Sequence, residues 1–286
     1  GIDGQLHFDG RRMVVTSNKA SVLGARVTQA HVVLPDLFTP EMVLAVNGQA
    51  EGPTAAFLGY IAQSPLNSMT RGIMANMRAA GNGRLQLKLD LPLARLDETK
   101  VAGNYQLVGN TLSIDADWPP FEQVNGRVDF TENGVSMRAV NAQLLGGAVA
   151  ISSANQRDGS VAVNARGTLN AGLLRSALEQ PLLRQVSGMT AWNSTINLGK
   201  RGATIVVESS LQGMASTLPA PLGKAPAEVL PLRFERTIIA EEQAGGSTGP
   251  PTAERNTLDI GKVVRMEIQR RRAEGRMVIE RGAVGI

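Results

Sequence analysis

Apolar and polar residues alternate along most of this chain, and turn residues punctuate the alternation. The clearest run is Arg84-Leu85-Gln86-Leu87-Lys88-Leu89-Asp90-Leu91, with leucines on one face and Arg, Gln, Lys and Asp on the other. The same period of two recurs at Gln5–Phe8, Arg12–Thr16, Arg26–Val32, Lys100–Val108 and Thr111–Ile114. It continues through Gly126–Thr131, Val135–Ala139, Ala148–Ser152, Val161–Ala165, Thr195–Leu198 and Thr204–Glu208. The last runs are Leu232–Arg236, Thr257–Ile268 and Gly275–Arg281. Turn signals fall between the runs at the spacing of an antiparallel meander.

Helical patterns are few. Thr54–Gln63 is apolar and ends before Pro65, and Ser68–Ala80 reads as a second short helix. Asn170 is placed to cap a third through Leu178, which stops before Pro181. Residues 243–252, rich in Gly, Ser and Pro, read as a mobile loop inside a single domain spanning 1–286, because they have nothing to bury.

Composition narrows the architecture. Hydrophobic residues make up 43% of 286 positions but aromatics only 3%, so the apolar surface is built from slim aliphatic side chains. A transmembrane barrel needs aromatic girdles, and two Trp with two Tyr cannot supply them. One-sided strands then have two solutions: two sheets packed as a sandwich, which is the ordinary one, or a long curved sheet whose apolar face lines a groove. Periodicity does not choose between them.

The chemistry-bearing residues are sparse. There is no cysteine, which removes disulfides, thiol catalysis and thiolate metal sites. His7 and His31 both sit in strand patterns, and two histidines are too few for a metal site without carboxylates from elsewhere. No Gly-x-Ser-x-Gly elbow is present. Asp115 and Asp117 share a strand face but stand at a turn before Trp118-Pro119-Pro120, where solvation is cheap. The chain therefore offers no catalytic residue set, and no cofactor is expected. The net charge of +4 comes from intermingled signs, unlike the basic stripe of a nucleic-acid binder. The one dense basic run, Arg270-Arg271-Arg272 followed by Arg276, reads as a solvated hairpin turn.

Three stretches resemble the YhdP branch of the AsmA-like family. They are Asn125–Val135, Leu144–Ile151 and, most specifically, the Pro/Gly-punctuated segment Glu208–Leu232. Leu34–Phe38 and Gln63–Leu66 are similar too, so the resemblance runs from about Ala25 to Glu235. It implies a mainly β fold, a long curved antiparallel sheet with a few short helices that forms a hydrophobic groove. It also implies a non-enzymatic periplasmic segment, internal or C-terminal-side, of a protein anchored in the inner membrane. Its partners would be phospholipid acyl chains and the inner and outer membranes, and no nucleic acid. On this reading Leu85, Leu87, Leu89, Leu91, Val101, Leu107, Val128, Phe130, Val161 and Val163 line the groove; in a sandwich the same residues would form the core. The Ser209–Leu232 segment would be a wall over the groove or an extended connector held by its prolines.

Overall fold

The computed structural model describes residues 2–63, 77–114, 118–156, 160–178, 180–199, 202–242, 248–273 and 276–285. Seventeen strands and two α-helices carry nearly all of them. The first half contains β1 (Ile2–Asp9), β2 (Arg12–Val22), β3 (Ala25–Leu34), β4 (Val43–Pro53), α1 (Thr54–Gln63), β5 (Arg78–Pro92), β6 (Lys100–Ser113), β7 (Phe121–Thr131), β8 (Gly134–Leu144) and β9 (Gly147–Asn155). Then follow β10 (Val161–Asn170), α2 (Ala171–Leu178), β11 (Val186–Gly199), β12 (Gly202–Ser209), β13 (Met214–Ser216), β14 (Leu232–Glu242), β15 (Thr248–Ile260), β16 (Val264–Ala273) and β17 (Arg276–Gly285).

Each strand pairs antiparallel with its neighbour in sequence, except that β12 pairs directly with β14 while the three-residue β13 attaches to β11. The result is one meander in which, among the described residues, β1 pairs only with β2 and β17 only with β16. Among the described residues no second sheet faces it, so the sandwich is excluded and the open curved sheet is what the chain forms. Surface area agrees: the chain exposes 17149 Å², whereas a compact monomer of 30.3 kDa exposes about 12,000 Å².

Successive hairpins put alternate connections on opposite rims of the sheet. Both helices and the Ser209–Leu232 segment fall on the same rim, here called the helix rim; the other is the hairpin rim. Asn170 caps α2 as its sequence predicts, its Oδ1 accepting from the Gly172 N–H at 2.8 Å. The turn Leu145-Gly146 between β8 and β9 has φ of 49° and 71°, the doubly positive pattern of a tight hairpin, which glycine supplies at the second position.

Curvature comes from a seam of bulges crossing β5–β8 near the helix rim. Pairing slips at Ala80/Asn82, around Asn110 and around Asn125. Gly81, Gly109, Gln123 and Ala139 there take positive φ, and each extra residue bends and twists its strand. Asparagines satisfy the backbone this frees. Asn125 Oδ1 accepts from the Gly109 N–H at 2.8 Å and its Nδ2 donates to the Gln123 carbonyl at 2.7 Å. Gly126, with φ of 143°, lets Val140 close in: a Cβ there would lie 2.7 Å from the Val140 Cα.

Sequence reasoning located most strands and missed some boundaries. The β4 run was not anticipated, and Lys100–Val108 with Thr111–Ile114 is one strand, β6, bulged at Asn110. Thr257–Ile268 is two strands joined by a turn at Gly261. Of the helix expected over Ser68–Ala80, residues 68–76 lie outside the described residues, and Arg78–Ala80 begin β5. Of the loop expected over 243–252, residues 243–247 lie outside the described residues, while Thr248 onward is strand β15.

Candidate functional site

The pairing register shows which side chains share a face. Leu85, Leu87 and Leu89 on β5 stand opposite Tyr105, Gly103 and Val101 on β6. Tyr105 and Gly103 stand opposite Val128 and Phe130 on β7, which meet Met137 and Val135 on β8. In the other direction Leu85, Leu87, Leu89 and Leu91 meet Ala50, Gly48, Val46 and Leu44. Val46 meets Val32, Val32 meets Val15, and Val15 meets Leu6. Beyond the bulge seam, Ile151 meets Ala165, then Ser194, Val207, Phe234, Leu258, Met266 and Val284. Alternate positions on every strand thus share one largely apolar face from β1 to β17, with charged members on β14–β16.

The ten residues singled out from sequence all lie on this face. Leu107 faces Gly83 and Gly126, and Val161 and Val163 on β10 face Leu198 and Ile196. Their accessibility differs. Val101 and Leu107 are buried at 6% exposure each, whereas the four leucines, Val128, Phe130, Val161 and Val163 are half-buried. Leu107 belongs to a packed cluster with Val124, Val140, Ala142, Val149 and Trp192 near the helix rim. The half-buried members sit in mid-strand or toward the hairpin rim, where Val101 is the buried exception among the ten. Helix α1 folds against the face through Phe57, whose ring meets Tyr105 edge-on at 5.1 Å. Burial pushes the Tyr105 phenol upward, partly opposed by its hydrogen bond with Thr54.

Asn110, fully buried, knits α1 to the seam. Its Nδ2 donates to Thr54 Oγ1 at 2.7 Å and to the Ala80 carbonyl at 3.2 Å, and its Oδ1 accepts from the Val108 N–H at 2.8 Å. No sequence signal marked it; a lone asparagine between two apolar runs was the only trace.

The Ser209–Leu232 segment leaves β12 and returns beside it, since Ser209 pairs with Leu232. It is a connector, but a folded one. Met214–Ser216 extends the pairing of β11, Ser216 bridges Lys224, and the buried Lys224 Nζ donates to the Met214 and Ala225 carbonyls at 2.7 and 3.0 Å.

The arginine run is not a solvated turn. Arg270, Arg271 and Arg272 lie within β16, and alternation sends Arg271 to the polar face beside Glu280 and Arg270 to the apolar face. There Glu254, buried on β15, accepts from Arg236 Nε and Nη2 at 3.0 and 2.6 Å through one oxygen. Its other oxygen accepts from Arg270 Nε and from Asn256 Nδ2. The alternating pattern hid this cluster because Arg236 and Glu254 occupy apolar-face positions without breaking the strand signal.

His7 and His31 lie in β1 and β3 on the polar face, opposite Val14 and Thr16. Among the described residues no three His, Cys, Asp or Glu side chains could hold a metal ion; Asp115 and Asp117 lie outside the described residues. No helix is long and apolar enough to cross a membrane among the described residues.

These features define a mainly β protein built on one curved, unclosed antiparallel sheet, with a largely apolar face and a polar face. The chain belongs to the YhdP family, whose family model, described as "YhdP protein", matches residues 1–286. That places it among AsmA-like proteins of the bacterial envelope, a lipid-transport family. No curated protein and no solved structure matches it.

Proposed function

We propose that this chain is a non-enzymatic, periplasmic segment of an envelope-spanning protein, anchored at the inner membrane. It shields phospholipid acyl chains in its groove as they move between the inner and outer membranes. The observation that carries the reading is the apolar face, half-buried toward the hairpin rim at Leu87, Val128 and Val163 and carried on to β17 by the row from Phe234 to Val284. Sixteen strands of the meander at about 4.8 Å spacing give on the order of 70 Å of apolar path. Each shielded methylene is worth roughly 0.8 kcal/mol, so a long acyl chain gains roughly 10 kcal/mol over exposure to water. Slim aliphatics such as Leu87, Val128 and Val163 hold hydrocarbon without selecting one chain over another, and the headgroup stays at the wet rim.

Mass spectrometry of the purified chain tests this by detecting co-purifying phospholipid, paired with Leu87→Asp. Because Leu87 is half-buried on the open part of the face, the variant folds and loses bound lipid. An envelope module without lipid conduction gives the opposite result: no lipid, and a Leu87→Asp chain that unfolds because the leucine belongs to a closed core.

A further inference from the structure

The apolar rows traced above from β1 to β12 contain no charged side chain. They meet charge at β14. The row Ser153, Val163, Ile196, Ile205 runs into Arg236 and Asn256. The row Val161, Leu198, Ala203, Ile238 runs into Glu254 and Arg270. Arg272 follows on the same face, two residues along β16 and opposite Met277. Closer to the helix rim the row Phe234, Leu258, Met266, Val284 stays apolar. Across β14–β17 the face is therefore divided into an apolar lane and a cationic lane side by side.

One carboxylate, Glu254, stands among three arginines in the cationic lane. Both of its oxygens are engaged, by Arg236 on one side and by Arg270 and Asn256 on the other. The Arg272 Nε is buried with no hydrogen-bond partner among the described residues, although the residue as a whole is half-exposed. A buried guanidinium N–H without an acceptor is costly unless an anion is supplied, and guanidinium matches phosphate oxygens in charge and fork geometry.

We propose that Arg272, with Arg270 and Arg236 held in place by Glu254, is an anion site for the phosphate of a phospholipid whose acyl chains lie in the adjoining apolar lane. This rests on the groove reading and adds to it a place where the headgroup is held. The pairing of lanes favours a lipid phosphate over free phosphate, because only a lipid uses both.

Isothermal titration of the full chain with dihexanoylphosphatidylglycerol below its micelle concentration, with dihexanoylglycerol, and with inorganic phosphate tests it. Arg272→Gln weakens the phospholipid about tenfold, the scale of one charged hydrogen-bonding partner, and leaves the diacylglycerol unchanged. Arg272→Lys keeps most of the affinity, and Arg271→Gln on the polar face changes nothing. Equal losses for both lipids, or no loss for the phospholipid, overturn the site. Inorganic phosphate binding as tightly as the phospholipid, with the same dependence on Arg272, overturns the lipid source. If neither lipid binds the native chain, the groove reading fails and the site with it; if both bind equally, only the site fails.

Discussion

Trp118 stacks obliquely on Phe234, with ring centroids 5.7 Å apart and planes at 58°. Trp118 stands just ahead of β7, and Phe234 lies on β14, six pairing steps away along the meander. Six steps at about 4.8 Å cover roughly 29 Å of sheet, and the loop residues before Phe121 span only about 10 Å. The sheet between them must curl to bring the rings together, so this pair ties β14 to the start of β7. Aromatic pairs couple by about 0.5–1.5 kcal/mol beyond burial. A double-mutant cycle of Trp118→Ala and Phe234→Ala, read by urea unfolding, should return that coupling; additive losses would mean that the two walls do not hold each other.

Asn110→Ala should cost about 1–3 kcal/mol in urea unfolding. It takes away the acceptor of the Val108 N–H and removes the buried donors to Thr54 and to the Ala80 carbonyl. Thr54→Ala, which removes one of these three bonds and the Thr54–Tyr105 bond but leaves the Val108 and Ala80 bonds of Asn110 in place, should cost less. An Asn110→Ala variant as stable as the parent would show that the seam closes without its side chain.

Acid should weaken the fold through exposed carboxylates held below their ordinary values. Glu132 accepts from the Val101 N–H at 3.0 Å, and that bond is the main cause of its lowered value. Asp36 is lowered chiefly by the Phe38 N–H, and Glu267 by its hydrogen bond from Gln269. Because the unfolded chain binds these protons more readily, their stabilisation is present above the ordinary values of 3.8 and 4.5 and is lost as pH falls through the folded ones. Glu132→Gln should flatten the fall in melting temperature between about pH 5 and 3; an unchanged slope would contradict this assignment.

Much of this architecture is legible in the sequence, because period-two alternation in β5 or β10 is a local property. What alternation cannot show is where a strand bulges. Asn110, Asn125 and Ala139 act through pairing with neighbours one or two strands away, and curvature is the sum of such slips. The choice between an open sheet and a sandwich therefore waited for the register. Charge on the apolar face was hidden for a related reason. Arg236, Glu254 and Arg270 are ordinary strand residues one at a time, and only pairing across β14–β16 places them together. Burial graded the ten candidate residues in a way spacing could not, separating Val101 and Leu107 from the open leucines.

The most direct test of the central claim uses a photo-crosslinking amino acid placed at adjacent positions of one strand in the full-length protein in living cells. Leu87, Phe130 and Val163 occupy the apolar face; Lys88, Asp129 and Asn164 are their neighbours on the polar face. The account predicts phospholipid adducts at the first three and none at the second three. Adducts on both faces alike, or on neither, would contradict it.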